Sequence, residues 1–210
     1  MAHLRKPLAR ALVLNTAVLT VETVGSLEAN SLSLAMDAIH NLSDEMGLAF
    51  LLLAYTLRAG LSSHFLRSAN VFNSFGLLVV SGFLVWQTIE RFLHPEPVLG
   101  LIPIAAGLLA AAGNWGVARA LRDPSREDVA IRLAYVHNVG DTLVSLAPVA
   151  AGLAILMSGL SLFDTVIALM IAVIILTSTL QAVIGSHKEL LWPETVVCGH
   201  RGEQYMGEHT

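Results

Sequence analysis

The sequence predicts an all-α membrane protein: a six-transmembrane-helix bundle with both termini in the cytoplasm. Three observations predict it. Only 13% of the 210 residues are charged while 55% are hydrophobic, with a mean hydropathy of +0.68; a soluble domain carries about 25% charged residues. Residues 68–89, 97–118, 142–163 and 165–187 contain no Asp, Glu, Lys or Arg, and each run exceeds the roughly 20 residues that cross a bilayer core. Of the 12 Lys and Arg residues, all but Arg91 fall at the termini or at the loops joining spans two to three and four to five, counting the span ends beside them. Positive loops face the cytoplasm, so six spans place both termini there. The net charge of −4 decides little, because the charges are sorted by side.

Taken in order, residues 1–10 read as a cytoplasmic N-terminal arm with Arg5, Lys6 and Arg10. A basic start followed by an apolar run resembles a signal peptide. This run, however, continues into polar residues without a small-residue cleavage site, so residues 11–27 are span one. It contains Asn15, Glu22 and Gly25. A turn at Glu28-Ala29-Asn30-Ser31 leads to span two, 32–57. Residues 59–68 form a polar loop, and span three covers 69–92. His94-Pro95-Glu96-Pro97 is a rigid turn, since proline cannot continue a helix. Span four, 98–121, is rich in Ala and Gly, as close packing in lipid favours. A charged turn at 122–126 precedes span five, 127–157, in which Pro148 predicts a kink. Residues 158–162 turn into span six, 163–186. The transporter domain is thus 11–186, and 187–210 is a short polar cytoplasmic tail. The single Cys198 excludes an internal disulfide. With His200 and His209 it belongs to the solvated tail. His64 and His94 are loop residues, Asn15, Asn73 and Asn114 interhelical hydrogen-bonding residues, and Trp86 and Trp115 packing or interface anchors.

The chemistry concentrates in two short stretches. His40-Asn41-Leu42-Ser43-Asp44 lies in span two and His137-Asn138-Val139-Gly140-Asp141 in span five. A His and an Asp four apart share one helix face. Two such pairs offer two imidazoles and two carboxylates, the ligand set of a tetrahedral Zn²⁺ site. An ionised carboxylate at mid-membrane costs about 2.5–3.5 kcal/mol, and no Lys or Arg in the spans is placed to pair with Asp44 or Asp141. Protons or a divalent cation must neutralise them. Histidine titrates near pH 6.5, by rough reference, and metal binding releases protons. The same groups therefore hold either Zn²⁺ or H⁺, the chemical basis of an antiporter. Asp37 shares the face of His40 and is a candidate to hydrogen-bond it or to pass ions. Asn41, Asn138, Glu22 and Asp164 complete the ion-path candidates. Ser43, Gly47, Gly140 and Ser145 would let spans two and five approach closely.

The order and spacing of these residues resemble the cation diffusion facilitator family over about residues 8–190. The resemblance is carried by Asn15, Glu22 and Gly25, then by the run 30–44 through His40 and Asp44. It continues with Arg67, Asn73 and Glu90, then His137-Asn138-Val139-Gly140-Asp141 with Ser145, and finally Phe163-Asp164. It implies proton-coupled efflux of divalent cations by alternating access, with His40, Asp44, His137 and Asp141 as ligands. The two-His, two-Asp set is similar to zinc-preferring members, and imidazole suits Zn²⁺ better than Mn²⁺ or Mg²⁺. Cd²⁺, Co²⁺ and Fe²⁺ are alternative substrates. The resemblance also implies a homodimer, here through membrane helices, because only residues 187–210 stand where the family continues into a cytoplasmic α/β domain. A bacterial inner membrane is the expected location, with lipid, Zn²⁺ and H⁺ as the partners and neither an organic cofactor nor nucleic acid. Two rival classes compete. An intramembrane metalloenzyme lacks His-Glu-x-x-His and an evident general base. A haem protein using His40 and His137 would leave Asp44 and Asp141 as unexplained costs.

Overall fold

A computed structural model describes residues 2–57 and 63–185, and every regular element among them is helical. The helices are α1 (Ala2–Ala29), α2 (Leu32–Thr56), α3 (Ser63–Leu93), α4 (Leu101–Leu121), α5 (Val129–Val144), α6 (Leu146–Ser158) and α7 (Leu162–Gly185), with a 3-10 turn at Pro124–Arg126. Among the described residues, five stretches are long and apolar enough to cross a membrane: His3–Ala29, Phe75–Leu93, Leu101–Leu121, Val129–Ser158 and Leu162–Gln181. The 25-residue α2 is long enough too, but it carries Asp37, Asp44 and Glu45. The side chains of Arg58, His64, Arg67, Asn73, Lys188, Cys198, His200, Arg201 and His209 lie outside the described residues.

Three sequence expectations change. Residues 2–10 are no separate arm, because they form the first turns of α1. Arg5 explains why: its Nε and Nη2 donate to the carbonyls of Tyr55 and Thr56 at 2.9 and 3.4 Å. Carbonyls in the last turn of a helix lack intrahelical donors, so a cation on α1 caps α2. The expected loop at 59–68 gives way to helix at Ser63. Span five is two helices, broken at Ser145. Pro148 has no N–H for the carbonyl one turn back, so the expected kink falls at Ser145, which keeps a helical backbone and joins the two helices.

Close packing also falls elsewhere than expected. A Cβ added at Gly47 or Gly140 would meet nothing within 4 Å. The backbones that touch are those of α4 and α6. A Cβ at Gly107 would lie 2.9 Å from the Ser145 carbonyl oxygen and 2.8 Å from Val149, and one at Gly152 would strike the Gly100 carbonyl. The α2–α5 gap is instead bridged by long polar side chains.

Two apolar cores hold α2 from opposite ends. Leu48 and Leu51 pack with Leu4, Leu8, Val117 and Ile131, while Leu32 and Met36 pack with Leu84, Ala168 and Ile171. Polar clasps close both ends. At one, Tyr55 donates to Asp128, and His3 pairs with Glu127 at 2.9 Å. At the other, Arg91 bonds the carbonyl and the side chain of Asn30 and pairs with Glu96 at 3.2 Å. Asn30 holds a φ of 55°, a left-handed conformation that Asn tolerates.

Asp164, at the start of α7, binds the N-terminus of α2. It accepts from Ser31 Oγ at 2.6 Å, Leu32 N at 2.7 Å and Ser33 Oγ at 2.5 Å. An anion at a helix N-terminus satisfies free N–H groups and the helix dipole. Asp164→Ala strands these donors in a buried setting and should cost about 3 kcal/mol, read as a lower thermal unfolding midpoint in detergent. An unchanged midpoint would show that this contact does not hold α2.

Candidate metal centre

The four residues of the two His-Asn-x-x-Asp stretches converge between α2 and α5, and one ligand atom from each lies within 4.8 Å of all the others. The bonds run crosswise. His40 Nε2 on α2 meets Asp141 Oδ1 on α5 at 3.1 Å, and His137 Nε2 on α5 meets Asp44 Oδ1 on α2 at 2.8 Å. Within each helix the His–Asp separations are longer, at 3.9 and 3.8 Å. The imidazole rings meet edge to face with centroids 5.3 Å apart. A tetrahedron with zinc–ligand bonds of about 2.0–2.1 Å has edges near 3.4 Å. The four His–Asp distances bracket that length, so small adjustments admit an ion of this size.

Burial is uneven. The Asp44 and Asp141 side chains are 9% and 4% exposed, and that of His137 is 50% exposed. His137 therefore stands on the open side of the cluster. Asp44 Oδ2, Asp141 Oδ2 and His40 Nδ1 are buried without a hydrogen-bond partner. Unmatched carboxylate oxygens of this kind are expensive in a low-dielectric interior, and a divalent cation would relieve them.

The other candidates divide. Asp37 is fully buried but makes no bond to His40, whose Nδ1 stays unpartnered; it faces Glu22 and Ser145 instead. Asn41 Nδ2 donates to Glu22 Oε2 at 2.7 Å. Asn138 Nδ2 returns to the Ala134 carbonyl of its own helix at 2.9 Å. Asp164 sits apart from the cluster, at the start of α2. Asn15 and Asn114 join helices as expected. Asn15 donates to the Asn41 carbonyl at 3.1 Å and to Glu45 Oε2 at 2.9 Å, and Asn114 to Ser145 Oγ at 3.0 Å. Trp86 and Trp115 point outward. Sequence reasoning missed Glu45, although an acid beside Asp44 in a span lacking a basic partner was a usable signal. It also missed the Tyr55–Asp128 pair, for which the sequence carries no local signal.

Residues 8–191 match the family described as the cation efflux transmembrane domain. The zinc transporter ZitB of Escherichia coli (strain K12) is 33% identical over 183 residues, covering 81% of this chain and 58% of that protein. A Bacillus velezensis protein named a cadmium, cobalt and zinc/H⁺-K⁺ antiporter is 29% identical over 184 residues, covering 83% of this chain and 59% of that one. The metal cation efflux system protein CzcD of Cupriavidus metallidurans is 25% identical over 177 residues, with 80% and 56% covered. The chain spans somewhat under two thirds of the length of these curated relatives.

The geometry makes a direct expectation for metal binding. Co²⁺ added to the purified protein should give the intense visible bands of tetrahedral coordination. His137→Ala and Asp141→Ala should each lose them, and binding should weaken as pH falls and the imidazoles take up protons. Weak bands of octahedral type, or bands kept in both variants, would contradict the four-ligand arrangement.

Proposed function

The chain belongs to the cation efflux family, and from that premise we propose that it is a secondary active transporter, not an enzyme, exporting Zn²⁺ in exchange for H⁺. His40, Asp44, His137 and Asp141 are the ligands in this reading. One observation supports it above the rest: the crosswise His–Asp bonding between α2 and α5. Two imidazolium–carboxylate pairs and one Zn²⁺ bound by two neutral imidazoles and two carboxylates carry the same net charge. Two protons and one Zn²⁺ can therefore replace each other without leaving a net charge in the bundle. A site occupied by neither would leave two carboxylates uncompensated at mid-membrane. That penalty disfavours an empty return and couples the two ions.

Because each bond ties one helix to the other, exchanging protons for metal changes what holds α2 to α5. Alternating access then follows from relative movement of these helices between the two polar clasps. In this reading α2 is the sixth span. Both termini are cytoplasmic, because the described Arg5, Lys6, Arg10, Arg119, Arg122, Arg126 and Arg132 lie towards that end. The homodimer implied by the family resemblance belongs to the same proposal. Cd²⁺ and Co²⁺ are further substrates. They fit a nitrogen–oxygen donor set, and the name of the Bacillus velezensis relative includes them.

The test is zinc flux into liposomes containing the purified protein and an internal zinc dye, under an imposed pH gradient. Flux should follow the gradient and disappear in His40→Ala and Asp141→Ala, while both variants still express and insert. Full transport in either variant would remove the site assignment. His40→Asp exchanges an imidazole for a harder oxygen donor and should let Mn²⁺ compete better for uptake. An unchanged competition profile would show that His40 does not set selectivity.

A further inference from the structure

Beside the four ligands lies a second set of buried polar groups that the metal chemistry leaves unused. Glu22 on α1 and Asp37 on α2 are both fully buried, and their carboxyl groups face each other. Glu22 Oε2 accepts from Asn41 Nδ2 at 2.7 Å. Glu22 Oε1, both Asp37 oxygens and Asn41 Oδ1 receive no N–H or hydroxyl donor. From Asn41 the polar contacts continue to Asn15 and on to Glu45, which also accepts from the exposed Thr16 hydroxyl. A string of polar groups, one of them the Asn41 backbone carbonyl, thus runs from beside the metal centre to the surface of the α1–α2 interface.

The surroundings of Glu22 fix the charge problem. Helix α2 turns Asp37, Asn41 and, further off, Asp44 towards it. Helix α4, packed on the other side, carries one charged residue, Arg119. The contacts of Gly113 with Val18 and of Gly25 with Ala106 put Arg119 more than two turns away from Glu22. His40 and Asp141 of the metal centre also act on Asp37, with opposite signs that offset each other when the imidazole is protonated, so two carboxylates close together in this dry interface repel each other and lose hydration together. Neutrality there requires a shared proton, and the unpartnered oxygens are its acceptors.

We propose that the Glu22–Asp37 pair is a second proton-holding position of the transport cycle, distinct from the four ligands. The proposal rests on the proton-coupled reading above. Asp37 is one helical turn from His40, so a divalent ion that displaces fewer than two protons from the ligands leaves positive charge close to the pair. That charge favours release of the shared proton: the carboxyl O–H bond breaks, the electron pair stays on oxygen and the proton passes to water. Departure of the ion favours its return. The proton thus moves in antiphase with the metal, as antiport requires.

The experiment counts protons and zinc together in liposomes containing the full chain, with paired pH and zinc dyes. Coupled movement of both ions by the wild type establishes the underlying reading. Its absence removes that reading and this proposal with it. Where the wild type is coupled, Glu22→Gln, which imitates a permanently protonated acid, should move fewer H⁺ per Zn²⁺, by about one, and flatten the pH dependence of zinc flux. A ratio and a pH profile equal to those of the wild type would overturn the proposal and leave Glu22 a packing residue. Should Glu22→Gln not fold, the wild type still decides. Its infrared difference spectrum on adding Zn²⁺ should lose a protonated-carboxyl band, and no such loss would overturn the proposal equally.

Discussion

Placing ionisable groups in the middle of an apolar bundle is the constraint on which the rest of this structure depends. Among the described residues no Lys or Arg pairs with His40, Asp44, His137 or Asp141, and each His turns to the Asp of the other helix. The bonds between α2 and α5 are therefore made by the same atoms that suit an ion. In a soluble protein such groups could relax into water. Between membrane helices they must find protons, a cation or each other. This makes the helix contact conditional on what the site holds, and a transporter needs a contact of that kind.

The remaining architecture keeps that conditional contact in a fixed frame. Helices α4 and α6 meet backbone to backbone at Gly107, Gly152 and Gly100, an approach that admits no larger side chain. Helix α2 is anchored at one end by Asp164 and at the other by Arg5. Its middle, by contrast, carries Asp37, Asn41, Asp44 and Glu45, whose partners come from α1 and α5. Rigid ends and a polar centre leave α2 able to respond to charge at the site without losing its place in the bundle.

The helices were legible because apolar runs, prolines and glycines punctuate the sequence clearly. Pro148 announced the break that the structure puts at Ser145. The first ten residues misled, because a basic segment looks solvated until Arg5 is seen capping α2 across the bundle. The period-four spacing of His and Asp showed which residues share a face. It could not show that the bonds run between helices, since that depends on how α2 and α5 cross. Glu22 and Asn41 stood out as polar residues in apolar spans, yet their bond joins residues 19 positions apart and has no local signature. Gly47 and Gly140 looked like contact points and are not, because the side chains of the site, not the backbones, fill the gap between α2 and α5.

The central claim is that two imidazoles and two carboxylates from α2 and α5 bind one divalent ion together. Zinc-edge X-ray absorption of the loaded protein tests it most directly. The account predicts four light-atom ligands at about 2.0–2.2 Å with the outer-shell scattering of two imidazole rings. A sulfur ligand, a single imidazole, or a six-oxygen shell at longer distance would contradict it.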